Sequence, residues 1–364
     1  MTASRFTFTG HNENDPTAMA WQRRTPVWLP GIDAPEHYHT EDKGLIAAVN
    51  TALSLGMPLL LTGPPGVGKT QLAYRIAYEL RCRTIFFPVK STTEAQHLFY
   101  DIDQLRRLHA AHANREHPPD IRDYLQFQGL GLAILRTMSL DELERRGLAE
   151  HAWPSREQAQ PGHRHPQPSV VLIDEIDKAP PDFPNDVLEE IRRCWFRIPE
   201  LEHDQQEFGI AGDPERPTET DTTLRPVIII TSNSEKTLPS AFLRRCVYYH
   251  MAPPPTEVLE AIVRRRLGEQ TTLTRAQQRE AVAFFEYLLK QEVVTLGKRP
   301  STAELLAWLV AMQVEGLTET APTAQPSERW QQLAQACLLK LEEDQAHFPT
   351  LLSSWQAKRA TSNT

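Results

Sequence analysis

The stretch Gly63-Pro64-Pro65-Gly66-Val67-Gly68-Lys69-Thr70 constrains this chain more than any other. It satisfies G-x-x-x-x-G-K-[ST], with Gly63, Gly68, Lys69 and Thr70 at the fixed positions. The apolar run Leu59-Leu60-Leu61 precedes it, and Leu72, Ala73, Ile76, Ala77 and Leu80 recur after it at helical spacing. The stretch therefore predicts a loop joining a buried strand to a helix. Glycines there let successive backbone N–H groups turn toward a polyphosphate, and the helix N-terminus adds its positive dipole. Lys69 reaches for the β- and γ-phosphates, and the Thr70 hydroxyl for Mg²⁺. The nucleotide-binding candidates run from Gly63 to Gln71. The competing reading, a Gly/Pro turn that matches by coincidence, is opposed by the flanking pattern and by a second motif downstream.

That second motif is Ser169-Val170-Val171-Leu172-Ile173-Asp174-Glu175-Ile176-Asp177-Lys178. An all-apolar run suits a strand buried on both faces. It ends in adjacent carboxylates at the end of the strand where α/β sheets place ligands. Asp174 is placed to hold Mg²⁺ through water, and Glu175 to orient and polarise an attacking water. Alone, they would read as two solvated carboxylates; paired with the phosphate loop they read as chemistry. Asp177 and Lys178 read as capping or interface residues. A third apolar run, Pro226 to Asn233, ends in polar residues and sets Asn233 level with Asp174, within reach of the attacking water or the γ-phosphate; a turn asparagine is the alternative. Arg244 and Arg245 close a short helical pattern before a last strand, Val247 to Met251. They serve the helix dipole or reach the γ-phosphate of a neighbouring subunit.

A length of 364 residues suggests about two domains. Residues 1–40 read as an irregular arm with scattered aromatics (Phe6, Phe8, Trp21, Trp28, Tyr38), and Tyr38 is a candidate for touching a nucleobase. His37 and His39 lack further ligands spaced to complete a metal site. Residues 41–252 form the α/β core, and 253–364, after Pro253-Pro254-Pro255, an all-helical domain. Expected core elements are a helix from Glu41 to Leu55 stopped by Gly56, strands at 58–62 and 84–87 (the latter buried), and helical pattern over 93–109. A helix over 182–195 and a hairpin from Phe196 to Ala211 follow. Residues 110–168 are the least legible; within them, 126–132 reads as core or as a mobile loop, with core favoured, and Ser139 to Glu142 as a capping box. Helices are expected over 257–267, 275–290, 301–314, 328–343 and 345–359. Ser301 and Glu304 make a capping box directly after Gly297-Lys298-Arg299-Pro300, so Lys298 and Arg299 are either a second grip on phosphate or an exposed basic turn.

Hydrophobic content of 40% supports a full core. A formal net charge of -8 disfavours a general nucleic-acid binder, which needs clustered Lys and Arg. Cys82, Cys194, Cys246 and Cys337 are dispersed and form no C-x-x-C pair, as in reduced cytoplasmic proteins. The N-terminus shows no apolar signal region, and no run is long enough to insert in a membrane.

Together these residues resemble the AAA+ ATPases over roughly 40–345. Gly63–Thr70 looks like Walker A, Val170 to Glu175 like Walker B with its catalytic glutamate, and Asn233 like sensor 1. Arg245 or Arg244 matches the arginine-finger region, and Lys298 or Arg299 the sensor 2 region. A closer resemblance, to the MoxR-like branch and its CoxD-like members, is carried by Gly44 to Asn50, Val89 to Thr93, Leu98 to Asp101, Ala241 to Cys246 and Ser301 to Leu306. The resemblance implies an αβα P-loop core with a five-stranded parallel sheet and a helical lid. It further implies ATP and Mg²⁺ as cofactors, a homo-oligomeric ring (usually a hexamer) with ATP between subunits, and chaperone-like remodelling of a protein partner such as a von Willebrand factor A domain protein. Both the tandem Arg244-Arg245 and the placement of the sensor 2 cation just before Pro300 depart from the family pattern, so the finger and the sensor each keep two candidates.

Overall fold

The computed structural model describes residues 34–113, 120–152, 165–210, 224–268, 271–291, 293–317 and 326–362. Most of the arm expected over 1–40, with Phe6, Phe8, Trp21 and Trp28, lies outside them. The described chain divides into one unit spanning Tyr38–Val258 and another from Leu259 onward, together with residues 34–37.

The first unit begins with α1 (Lys43–Leu55), whose N-cap Asp42 accepts the N–H groups of Gly44 and Leu45 at 2.9 and 3.1 Å. Gly56 ends it in the left-handed conformation at φ 61°, the usual glycine stop. Then come β1 (Leu59–Thr62), α2 (Lys69–Leu80), β2 (Arg83–Pro88), β3 (Tyr100–Ile102), α3 (Gln104–Ala113), β4 (Leu125–Phe127), α4 (Gly129–Leu135), α5 (Leu140–Arg145), α6 (Ala149–Ala152) and β5 (Ser169–Asp174). After β5 follow α7 (Phe183–Asp186), α8 (Leu188–Arg193), β6 (Trp195–Arg197), β7 (Glu207–Gly209), β8 (Val227–Ser232), α9 (Ser240–Leu243) and β9 (Val247–His250).

Five strands form one parallel sheet in the order β2-β5-β8-β1-β9, with Leu60 level with Ile230 on one side and Tyr248 on the other. Strand alternation explains the layers. Leu59, Leu61, Val170, Leu172 and Ile229 face Leu45, Ala52, Leu72, Ala73 and Ile76 of α1 and α2. The opposite face (Leu60, Val171, Ile173, Ile228 and Ile230) packs with α4, α7 and the small hairpins. Burying the central strands on both faces accounts for their unbroken apolar sequence. This is the expected αβα core with a five-stranded parallel sheet.

Several boundaries differ from expectation, each for a non-local reason. β2 is an edge strand, and Phe86 on it is 47% exposed rather than buried. The helical pattern over 93–109 is interrupted by β3, because Tyr100 and Ile102 pair with Phe127 and Leu125 and point inward. Within 126–132, Leu130 is core with Phe127 and Leu132 packed against the same cluster, while Gln126 is exposed. Gly131 packs so tightly that a Cβ there would sit 2.0 Å from the Phe99 carbonyl oxygen. Ser139 caps α5 through the Glu142 N–H, but the Glu142 carboxylate turns to Arg145 and Arg146, so the capping box is half made. The helix over 182–195 breaks at Val187 (φ -95°, ψ 5°), which is fully buried. The hairpin forms as β6 and β7, with Phe196 opposite Phe208 and their rings stacked at 5.0 Å.

The second unit is all-helical among its described residues. It holds α10 (Thr256–Leu267), which starts just before it, α11 (Arg275–Lys290), α12 (Thr302–Val314), α13 (Glu328–Leu338), α14 (Glu342–Ala346) and α15 (Phe348–Ser362). Phe284 centres its core, with Trp355, Trp330, Trp308 and Phe348 at centroid distances of 4.9, 5.3, 5.9 and 6.2 Å. The pattern over 328–343 ends early, at Leu338, and resumes in α14. That brings the buried Asp344 under the turn before α12, where its oxygens accept the N–H groups of Gly297 and Lys298 at 2.8 and 3.1 Å.

Candidate nucleotide site

β1 delivers the chain into the loop at Thr62, whose carbonyl accepts the Met251 N–H at 2.8 Å. Gly63 follows at φ 138°, and a Cβ there would lie 2.2 Å from the Met251 carbonyl oxygen, so only glycine fits. Gly66 and Gly68 also have positive φ, 76° and 99°, which curls the loop around Pro64, Pro65 and Val67. Gly68 is the N-cap of α2 and supplies no side-chain cap, so no side chain occupies the first-turn donors. Tyr38 packs beside the loop, 3.4 Å from where a Gly68 Cβ would sit.

Lys69 is 6% exposed and folds back over the loop. Its ammonium donates to the carbonyls of Gly63 and Pro64 at 2.7 and 2.9 Å and to Asn233 Oδ1 at 2.8 Å. Burial pushes this ammonium below the usual lysine range, against the opposing pull of Asp174, Asp177 and Glu175. Thr70 donates its hydroxyl to Asp174 Oδ1 at 2.9 Å. The next side chain, Gln71, leaves a buried Oε1 without a partner among the described residues.

Glu175 directly follows β5 in the left-handed region, φ 60° and ψ 53°, a strained position for a residue with a Cβ. The Asn233 amide donates to its Oε1 at 2.9 Å, and Lys178 pairs with its Oε2. Asn233 thus bridges the loop lysine and the carboxylate just after β5. The structure brings together Lys69, Thr70, Asp174, Glu175 and Asn233, the first and last of which stand 164 positions apart in the chain.

Two residues that spacing did not single out join this cluster. Thr231 donates to Asp174 Oδ1 at 2.7 Å and accepts the Glu175 N–H at 2.8 Å. Asp177, read from sequence as a capping or interface residue, is 3% exposed and accepts the Asn233 and Glu235 N–H groups at 3.1 and 3.0 Å. The available signal was that each stands two residues from a candidate, Thr231 before Asn233 and Asp177 after Glu175.

Arg244 and Arg245 are exposed where α9 ends; Arg245 donates to the Ala241 carbonyl at 3.2 Å, and Arg244 has no partner among the described residues. No hydrogen bond or ion pair among the described residues joins either to the cluster. Lys298 and Arg299 are exposed in the helical unit, Lys298 Nζ lying 3.9 Å from Glu304.

The residues present fit a nucleoside triphosphate with a divalent cation. The loop's curl and uncapped helix N-terminus suit phosphate oxygens. The Thr70 hydroxyl beside the Asp174 carboxylate supplies the hard oxygen donors that Mg²⁺ takes. No described helix is long and apolar enough to cross a membrane.

No curated protein matches the chain. Among solved structures it is similar to the Thermotoga maritima RuvB Holliday junction branch migration motor, at 12% identity over 81% of this chain and 67% of that one, with a TM-score of 0.39. It is also similar to two point mutants of T. maritima RuvB, each at 14% identity over 81% of this chain and 67% or 68% of theirs, with TM-scores of 0.40 and 0.43. Residues 54–215, which carry the phosphate loop, Asp174 and Glu175, match the family model of the AAA domain.

Proposed function

We propose that the chain is a Mg²⁺-dependent ATPase of the AAA+ type that couples hydrolysis to remodelling or activating a protein partner. The observation that carries the hydrolytic part is the Asn233 bridge. One amide touches the lysine aimed at phosphate and the carboxylate suited to water, while Thr70 meets Asp174 beside them. A nucleotide-binding loop needs no such bridge for binding alone.

In this reading the loop amides from Gly66 to Thr70 and Lys69 cradle the phosphates, and Thr70 and Asp174 hold the cation. Mg²⁺, when bound, neutralises charge developing on the β- and γ-phosphate oxygens. Glu175 orients and polarises the attacking water, and Asn233 fixes that water or the γ-phosphate. Arg245, or Arg244, completes the site of the next subunit in a homo-oligomeric ring, in the family a hexamer. Lys298 or Arg299 adds a phosphate contact from the helical lid of 253–364. The MoxR-like resemblance suggests a partner with a von Willebrand factor A domain, in the cytoplasm.

Phosphate release and binding of a fluorescent ATP analogue, compared between wild type and Glu175→Gln, test this. The variant is expected to bind ATP and to lose most turnover; normal turnover removes Glu175 from its role. Capture of partners by Glu175→Gln in ATP tests the remodelling half, and capture of none counts against it.

One observation favours a second reading, an ATP-gated assembly switch with little turnover. Both Glu175 oxygens are already engaged, by Asn233 and Lys178. ATP-dependent assembly with turnover unaffected by Glu175→Gln would select it.

A further inference from the structure

The ends of β5 and β8 hold each other through two side chains, one from each strand. From β8, the Thr231 hydroxyl donates its hydrogen to Asp174 Oδ1 (2.7 Å) and receives the Glu175 N–H (2.8 Å). From the turn after β5, Asp177 receives the N–H groups of Asn233 (3.1 Å) and Glu235 (3.0 Å). Both side chains are nearly inaccessible, Thr231 at 1% and Asp177 at 3%. β5 and β8 pair directly in the sheet, but their recorded pairing runs from Val170–Val227 to Ile173–Ile230 and stops short of Asp174 and Glu175. Beyond the last rung these side-chain bonds take over the alignment that the ladder gives below it.

We propose that Thr231 and Asp177 are positioning residues of the nucleotide site, forming a reciprocal clamp with separable tasks. Thr231 sets Asp174 and the backbone of Glu175, and Asp177 sets Asn233. The proposal rests on the hydrolytic reading above and deepens it.

The chemistry divides the tasks. The Thr231 hydroxyl has one hydrogen, and it is committed to Asp174, which aims that carboxylate at Thr70, whose hydroxyl bonds the same oxygen. The lone pair taken by the Glu175 N–H steadies a backbone at φ 60° that a glutamate does not adopt for its own sake. Asp177 touches neither carboxylate. It accepts the main chain on both sides of Ser234, itself at φ 63°, and so holds the turn from which the Asn233 amide reaches Lys69 and Glu175. Outer-shell partners of this kind orient a metal's ligands, and their loss commonly costs about 10–100-fold in metal affinity or activity.

The test uses the full chain in four forms: wild type, Thr231→Val, Thr231→Ser and Asp177→Ala. Binding of a fluorescent ATP analogue is titrated with Mg²⁺, kcat and KM are measured by phosphate release, and melting temperature is recorded for each. Thr231→Val is expected to raise the Mg²⁺ concentration for half-maximal binding by about 10-fold or more. Thr231→Ser, which keeps the hydroxyl, is expected to stay near wild type. Asp177→Ala, or Asp177→Ser if the alanine variant does not fold, is expected to keep the wild-type Mg²⁺ requirement and KM while kcat falls about 10-fold or more. If Thr231→Val does not fold, Thr231→Ala takes its place against the same serine control.

A folded Thr231→Val with wild-type Mg²⁺ dependence, or a Thr231→Ser as impaired as the valine, overturns the Thr231 assignment. A folded Asp177→Ala with wild-type kcat, or one whose loss lies in KM, overturns that of Asp177. If wild type binds nucleotide but hydrolyses none, the ATPase reading and the Asp177 task both fall, and the Mg²⁺ titration of binding still decides Thr231.

Discussion

Lys69 donates to Asn233 Oδ1 at 2.8 Å, although the two residues stand 164 positions apart in the chain. The bond joins the phosphate loop to the polar end of the third apolar strand, and the other end of the same amide joins Glu175. The orientation of that amide follows from its neighbours, since an ammonium only donates and a carboxylate only accepts. In the structure described, the lysine and the glutamate are therefore satisfied by protein groups where phosphate and water would compete for them.

Replacing Asn233 by Ala removes both contacts at once. The expected result is a fall in kcat of about 100-fold or more, the scale for losing one placed polar group in such a site. Affinity for ATP should change little, because the loop amides and the lysine remain. Steady-state phosphate release beside analogue binding measures the two. A loss confined to affinity would mean that Asn233 serves the loop and not the hydrolytic step.

The depressed proton affinity of Lys69 gives a pH signature. Its folded value lies below the lysine reference of 10.5, with burial as the main cause. Between the folded value and 10.5, the unfolded chain carries the proton more often than the folded one, so this residue makes stability rise with pH across that window. Bound phosphates favour the ammonium and move its proton affinity back up. ATP binding at a pH between the folded value and 10.5 should therefore take up protons, seen as a dependence of the calorimetric heat on the buffer's ionisation enthalpy. Lys69→Met should abolish the uptake; uptake that persists in the variant assigns it elsewhere.

The strand–loop–helix placement of Gly63–Thr70 and the position of Asp174 and Glu175 at the end of β5 were legible because their signals are local: fixed spacing, an apolar run, a helix pattern. The glycine stop of α1 and the capping box that opens α12 were legible for the same reason. Thr231 and Asp177 were not, since each acts on residues 56 to 58 positions away and, apart from standing two residues from a candidate, neither differs from ordinary strand-end and turn residues. The interruption at β3 is similar. Tyr100-Asp101-Ile102 reads as part of a helix until the partner strand at 125–127 is known. Phe86 read as buried because edge position in a sheet is a property of topology and not of the strand's own letters.

Asp344 should matter to the helical unit beyond its size. It is 2% exposed and accepts two backbone N–H groups of the turn that carries Lys298 and Arg299. Asp344→Ala strands those donors, an expected loss of about 1–3 kcal/mol. Asp344→Asn keeps one acceptor oxygen and should lose less. Chemical denaturation, followed by the fluorescence of the tryptophans around Phe284, measures both. Equal stability of Asp344→Ala and wild type would show that the turn is held by other means.

Arg244 and Arg245 are exposed at the end of α9, and no described hydrogen bond or ion pair ties either to Lys69, Glu175 or Asn233. An arginine that acts on a neighbour's phosphate has this arrangement in its own subunit. The two can be separated by complementation. Arg245→Ala keeps an intact nucleotide site and lacks the charge offered to a neighbour, while Glu175→Gln has the reverse defect. Each alone should be slower than wild type by about 10³-fold or more for a true finger. Mixed in equal amounts in a ring with head-to-tail interfaces, about a quarter of the junctions would pair an intact site with an intact finger. Phosphate release from the mixture should then exceed the sum of the separate proteins many times over. If the Arg244→Ala mixture recovers instead, the finger is Arg244. If neither mixture rises above that sum while both variants still assemble, hydrolysis does not take an arginine from α9 of the next subunit.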